Sequence, residues 1–410
     1  MTKQARHIGP ALGLMLVAAV ALTGCDKNPV ANGDRPDPTE PVNLPVIGQG
    51  RHESRFTAEV AVRNAFAYTT TWSLRSAPGN AIFIWDVTGV PSLADSIIVP
   101  EAATLGDIQI SDDGALVVVA KERAPGFIVI YDASRPDLLV ELSRFSSTDT
   151  NAGVHTVKLG RVGGRLYAFL SVNIGGSNTP SQLVIVDITD PVNPTQVLAR
   201  PMGLPFIHDT FVRDGILFTA LWDGGLSIWD IGGGTKSGTV ADPVLISNIF
   251  TVDGNVHNAW WFHNPNKSEK KYVFVGEEGG GAVGATTRGD VHVVDISDIE
   301  NPREVAFYNV PDAGAHNFSM DEPSQMLYAA FYNGGVRALD VSGDLGVCPD
   351  SARASDDRCD MRLAGREAGI ALSTGDPMVS IWGVAVSGNR LYASDMLSGL
   401  FSLDITALKR

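Results

Sequence analysis

An apolar run that closes on an aspartate returns seven times along this 410-residue chain: IFIWD (82–86), IVIYD (128–132), LVIVD (183–187), LSIWD (226–230), VHVVD (291–295), VRALD (336–340) and FSLD, ending at Asp404. A second apolar run precedes each, as in ALVVVAK, ILFTALW and MLYAAFY, and tight-turn residues such as Asp223-Gly224-Gly225 and Asn333-Gly334-Gly335 often join the two. Each unit therefore reads as inner strand, middle strand, aspartate-ending strand and outer strand, with a period of about 45–65 residues. A four-stranded unit of this kind cannot bury both faces alone, so the copies must stack on one another.

Seven stacked four-stranded units predict an all-β chain, a seven-bladed β-propeller over residues 45–410. No long run of helical period appears beyond the N-terminal leader. The last unit stops one strand short, and PVIGQGRHESRFTAEV lines up with PTQVLARPMGLPFIHDT, so Val46–Gln49 is expected to complete the final blade and close the ring. At LVIVDITDP the chain resembles the LVIVD-repeat proteins, bacterial and archaeal surface or secreted chains. That resemblance implies a propeller and an exported location, and it supplies no reaction. The terminal aspartates are expected to cap turns rather than catalyse, since Asx turns suit an aspartate at a strand end.

The N-terminus reads as a leader over residues 1–24. Lys3 and Arg6 precede the apolar run ALGLMLVAAVAL, which is shorter than the roughly 20 residues a membrane span needs. It ends in Leu22-Thr23-Gly24-Cys25, which resembles the lipobox of bacterial lipoproteins and implies lipidation at Cys25. Residues 25–44, rich in Pro, Asn and Asp, read as a flexible tether. The expected product is a monomer, membrane-anchored through its lipid, on the cell surface or facing the periplasm. In that oxidising setting Cys348 and Cys359 should form a disulfide within an insertion at 342–376. A net charge of −15 argues against nucleic acid as a partner, because phosphate recognition needs a basic face.

Histidines supply the lead on function. The stretches GVHTVKL, FIHDTFV, NVHNAWW and GAHNFSM each place one at the start of an inner strand. An ungapped comparison of DIQISDDG with HDTFVRDG extends the column to Ala58, Asp107, His155, His208, His257, His316 and Trp382. Imidazoles and a carboxylate around one channel suit a first-row transition metal. The alternative reading is that the same residues latch neighbouring inner strands by hydrogen bonds. Loops expected to wall this end are WSLRSAPGN, SVNIGGSNTPS and EEGGGAVGATTRG. Glu277 and Glu278 begin the last of these, as candidate added ligands, acid/base groups or plain rim carboxylates, with Asp209 a further rim carboxylate. GEEGGGAVG lacks the Lys-Ser/Thr ending of a phosphate loop, and no G-x-S-x-G or H-E-x-x-H motif occurs. Two functional classes follow: a binding module for a protein or glycan, or a metal-dependent enzyme of oxidase or lyase type.

Overall fold

Every aspartate-ending run lies in the third strand of a four-stranded antiparallel blade, and there are seven such blades, two of them extended by a fifth, parallel strand, in the computed structural model. It describes residues 40–52, 54–172, 181–201, 207–279, 287–373 and 378–410. The leader, Cys25 and the tether up to residue 39 lie outside the described residues, as do most of SVNIGGSNTPS and EEGGGAVGATTRG. The inner strands of blades one to seven are Phe56–Arg63, Thr104–Ile110, Val154–Val162, Asp209–Arg213, Val256–Asn264, Phe318–Asp321 and Ile381–Ser387. Each touches the inner strand of the next blade, and the seventh touches the first. The only helical turns among the described residues are two short 3₁₀ segments, Asp350–Ala352 and Thr406–Leu408.

Packing explains the sequence pattern. The second and third strands are buried almost throughout, because neighbouring blades cover both faces, and so they read as continuous apolar runs. Outer strands such as Ser92–Ile98 face solvent and are mixed in composition. Seven hydrophobic clusters result, one at each junction between adjacent blades; the junction of blades one and seven holds Val60, Trp85, Tyr392 and Leu400.

Ring closure follows the expectation and extends it by one residue. Val46–Gly50 pairs antiparallel with Gly399–Asp404, Gln49 standing opposite Phe401. The expected tether gives up its last residues to the fold, since Val42–Asn43 runs parallel to Glu367–Ala371 on blade six. Leu44 anchors this piece by burying its side chain between blades six and seven. The disulfide between Cys348 and Cys359 forms as expected. Within the insertion, Glu367–Ala371 is the outer strand of blade six, while Cys359–Asp360 crosses over to pair with blade five at Ala306 and Phe307. Two blade edges are thereby covered, which blunts their tendency to pair with other chains.

The seven aspartates do what a turn-capping role requires. Asp86, Asp132, Asp187, Asp230, Asp295, Asp340 and Asp404 each accept the backbone N–H two residues on, at 2.7–2.9 Å. This is the Asx turn, and it fixes the corner that leaves the third strand.

Candidate functional site

Strand register defines the histidine column. In blades two, three, five and seven the inner strand carries one extra residue at its start, at Gly106, His155, His257 and Trp382. His208 and His316 occupy the same place, each donating its own N–H to the partner strand, at Ala220 and Ala330. A bulge re-aims a side chain that the ladder would otherwise direct into a blade face. That is why a histidine can open a strand built for a core.

One expected member moves. Asp107 pairs opposite Ala120 as Asp209 pairs opposite Ala220, so Asp107 belongs with Asp209, and Gly106 stands in the histidine column. The hairpin of blade two runs from Ser111 to Leu116, whereas that of blade four is the tight Arg213–Ile216 turn. An ungapped comparison therefore slides the blade-two inner strand by one residue. Ala58 and Trp382 fall where the sequence places them, whereas Asp209, expected on the rim, lies one residue further along the inner strand and lines the cavity.

The four rings form an arc. Consecutive centroids from His155 through His208 and His257 to His316 are 4.4, 4.0 and 4.2 Å apart, and Trp382 continues it at 4.2 Å. His208 donates Nδ1–H to the carbonyl of His257 at 3.0 Å, and His316 donates Nδ1–H to the carbonyl of Trp382 at 2.6 Å. A carbonyl only accepts, so in the neutral rings the lone pair sits on Nε2. His155 turns Nδ1 toward the Glu122 carboxylate, 3.5 Å away, and its Nε2 lies 2.9 Å from His208 Nε2. His257 is buried with neither ring nitrogen hydrogen-bonded. Glu278 Oε2 stands 3.7 Å from His257 Nε2 and 4.0 Å from His208 Nε2, while its other oxygen accepts the Tyr332 hydroxyl.

Burial sets the charge of the site. It holds His208 and His257 well below the usual imidazole range, with neighbouring imidazoles adding to the effect. Burial likewise takes His316 down to about 3. His155 differs: burial works against its cation, but the Glu122 carboxylate outweighs it and lifts the ring above its ordinary value. Burial raises Glu278 despite the Tyr332 hydrogen bond.

A second ring lies one residue further along the inner strands: Glu59, Asp107, Thr156, Asp209, Asn258 and Asn317, with Gly383 in blade seven. These are the latches. Asp107 accepts Val157 N–H of the next blade at 2.8 Å, Thr156 donates to the His208 carbonyl at 3.0 Å, and Asn258 donates to the His316 carbonyl at 3.0 Å. Asn317 reaches across blade seven to Glu59, through space that Gly383 leaves open; a Cβ there would meet Glu59 Oε1 at 2.0 Å. Burial, reinforced by Asp107, pushes Glu59 up to about 8 and Asp209 up to about 6. Both rings line a cavity of about 440 Å³ at one end of the channel, which Trp260 also lines.

Of the walls, only Glu278 is among the residues expected from the sequence. Trp72, Glu122, Trp222, Glu278 and Tyr332 all stand two places beyond the second-strand residue that pairs with the latch ring. Aligning the ends of the second apolar runs would have found them. Trp222 and Tyr332 hold positive φ values of 56° and 40°, uncommon for bulky residues, and each exchanges two backbone hydrogen bonds with the next inner strand. Glu277 does not join the site. Strand alternation turns it away from the axis, and its buried carboxylate lies 2.9 Å from His292 Nε2 within blade five and accepts the Thr251 hydroxyl.

Residues 179–199 match the family model described as the LVIVD repeat, a segment that spans the LVIVD strand and its Asx turn at Asp187 and Thr189. No curated protein matches the chain. With the repeat at blade three and its strand-and-turn pattern in all seven sheets, the chain is a seven-bladed β-propeller that carries the LVIVD repeat.

Proposed function

We propose that the chain is an exported, lipid-anchored propeller that holds a small ligand at the histidine end of its channel. The leader pattern, the lipobox-like Cys25 and a disulfide suited to an oxidising compartment support the location. The cavity of about 440 Å³ falls within the range of small-molecule sites and favours a small ligand here over the protein or glycan partner also expected from sequence.

His257 carries the reading. Latching accounts for His208 and His316, whose Nδ1 atoms bond neighbouring carbonyls. It gives no reason for His257, buried with neither nitrogen hydrogen-bonded, or for the buried Oε2 of Glu122, which also lacks a hydrogen bond. An unsatisfied buried polar group costs on the order of 1–3 kcal/mol, a burden sites carry when a ligand satisfies it. The test is His257→Leu in full-length protein stripped of ligands by chelator dialysis. A binding role predicts an unchanged or higher melting temperature for the stripped variant, whereas a latch role requires a drop of several degrees.

A further inference from the structure

The ligand-site reading leaves open what the ligand is, and the directions of the donor atoms narrow it. Resting on that reading, we propose that the ligand is one first-row divalent metal ion, held by Nε2 of His208, Nε2 of His257 and the Glu278 carboxylate, with His155 and His316 flanking.

Three observations converge. The donor atoms of His208, His257 and Glu278 lie within 4.8 Å of one another, close enough for a single ion to draw them together. Two donors at a right angle on an ion with bonds of about 2.0–2.1 Å stand about 2.9 Å apart. His155 Nε2 lies 2.9 Å from His208 Nε2 in a hydrogen bond, which places a third imidazole beside the pair as a flanking group.

Outer partners orient these donors apart from His257, whose Nδ1 has no hydrogen bond. A metal-bound histidine nearly always gives its other N–H to a carbonyl or carboxylate, which fixes both tautomer and ring direction. His208 does so with the His257 carbonyl and His316 with the Trp382 carbonyl. His155 has Glu122 in the corresponding place, and the Tyr332 hydroxyl holds one oxygen of Glu278 so that the other faces His257 and His208. The hydrogen bond between His155 Nε2 and His208 Nε2 also latches blades three and four, but a latch gives no reason for His257 Nε2 to face the Glu278 carboxylate without a hydrogen bond.

The donor set is nitrogen and oxygen without thiolate, which suits zinc, copper, iron or nickel better than a soft ion. Two histidines and one carboxylate leave coordination positions open on a six-coordinate ion. The adjoining cavity would supply water or a substrate to those positions, which is how the metal-dependent enzyme reading enters.

Full-length protein stripped by chelator is titrated with Co(II), Zn(II) and Cu(II), followed by calorimetry, Co(II) absorption and Cu(II) electron paramagnetic resonance. The expected result is one ion per chain, with nitrogen hyperfine structure from more than one imidazole. His257→Leu and Glu278→Gln should each weaken binding at least 100-fold, and Tyr332→Phe by about 10–100-fold, the usual loss for an outer-shell partner. His263→Ala, outside the cavity, should change nothing. Absence of binding, or binding that survives both His257→Leu and Glu278→Gln, overturns the metal site. If that happens while stripped His257→Leu melts no lower than the parent, the ligand site stands with a different ligand. If stripped His257→Leu melts lower, both readings fall.

Discussion

His292 offers a measure of how much a buried charge network holds the propeller together. Its ring is fully buried in blade five, with Nε2 2.9 Å from Glu277 Oε2 and Nδ1 2.6 Å from Glu304 Oε1. Arg358, from the disulfide insertion, also contacts Glu304. Burial opposes the imidazolium, but the two carboxylates outweigh it and lift His292 to about 9. A folded value above the ordinary 6.5 means that the contribution is complete below pH 6.5 and is lost as pH rises through about 9. The span of roughly two and a half pH units corresponds to about 3 kcal/mol. Removing one partner of a buried pair costs about 3–5 kcal/mol by an independent route, so the two agree. His292→Leu should therefore destabilise the protein by about 3–4 kcal/mol near pH 6. With an unfolding entropy of about 2.1 cal/mol/K per residue over roughly 370 folded residues, this lowers the melting temperature by about 4–5 °C. Scanning calorimetry of parent and variant from pH 6 to 9.5 should show the gap closing as the parent's imidazolium deprotonates. Equal melting temperatures, or a gap that ignores pH over this range, would refute the assignment of His292 as a buried cation.

Three further outcomes test the fold. Gly383→Ala puts a Cβ 2.0 Å from the buried Glu59 carboxylate and should cost about 1–3 kcal/mol in urea unfolding, with no loss if the Glu59–Asn317 latch is absent. Asp132→Ala removes the acceptor for Ser134 N–H and should cost about 1 kcal/mol by the same assay, a loss that other Asx-turn aspartates should share. Replacing Cys348 and Cys359 together by serine opens a loop with a sequence separation of 11 and should cost about 3 kcal/mol. Amides of Ala306 and Phe307, against which Cys359–Asp360 pairs, should then exchange faster with solvent.

The blade plan was legible because it is written in local chemistry and repeated. Each unit states the same strand order in apolar runs, and each closes on an aspartate whose acceptor serves its own turn, so no long-range contact had to be guessed. Ring closure was legible because one outer strand was missing and its match lay at Val46–Gln49. The insertion was not. The pairing of Cys359 with blade five depends on which blade edge lies within reach, and neither periodicity nor turn residues encode that.

The site was legible in part, for related reasons. Histidine at the head of a core strand is conspicuous, so His155, His208, His257 and His316 are legible from local sequence alone. Asp107 was misplaced because hairpin length, not residue identity, carries the register between blades two and four. Glu278 was seen beside Glu277, but only strand alternation, fixed by the pairing of Gly276 with Asn258, tells which of the two faces the axis. Glu122 and Tyr332 were missed because they end second strands, and their nearness to the histidines arises only when the ring closes.

That closure also separates two duties that the sequence seemed to merge. The ring of Glu59, Asp107, Thr156, Asn258 and Asn317 joins neighbouring blades, at ordinary ladder positions except for Glu59, which lies in a register shift. The histidines sit one residue earlier, and the bulges at His155 and His257 lie outside the ladder, where side chains can change without breaking strand pairing. Latching thus belongs mainly to the amide, hydroxyl and carboxylate ring, and the bulge column is where one repeat can differ from the next at small structural cost. Ala58, Gly106 and Trp382 occupy that column in the other three blades without disturbing the sheet. Strand pairing therefore does not require four imidazoles in consecutive blades, and inter-blade hydrogen bonds account for His155, His208 and His316 but not for His257.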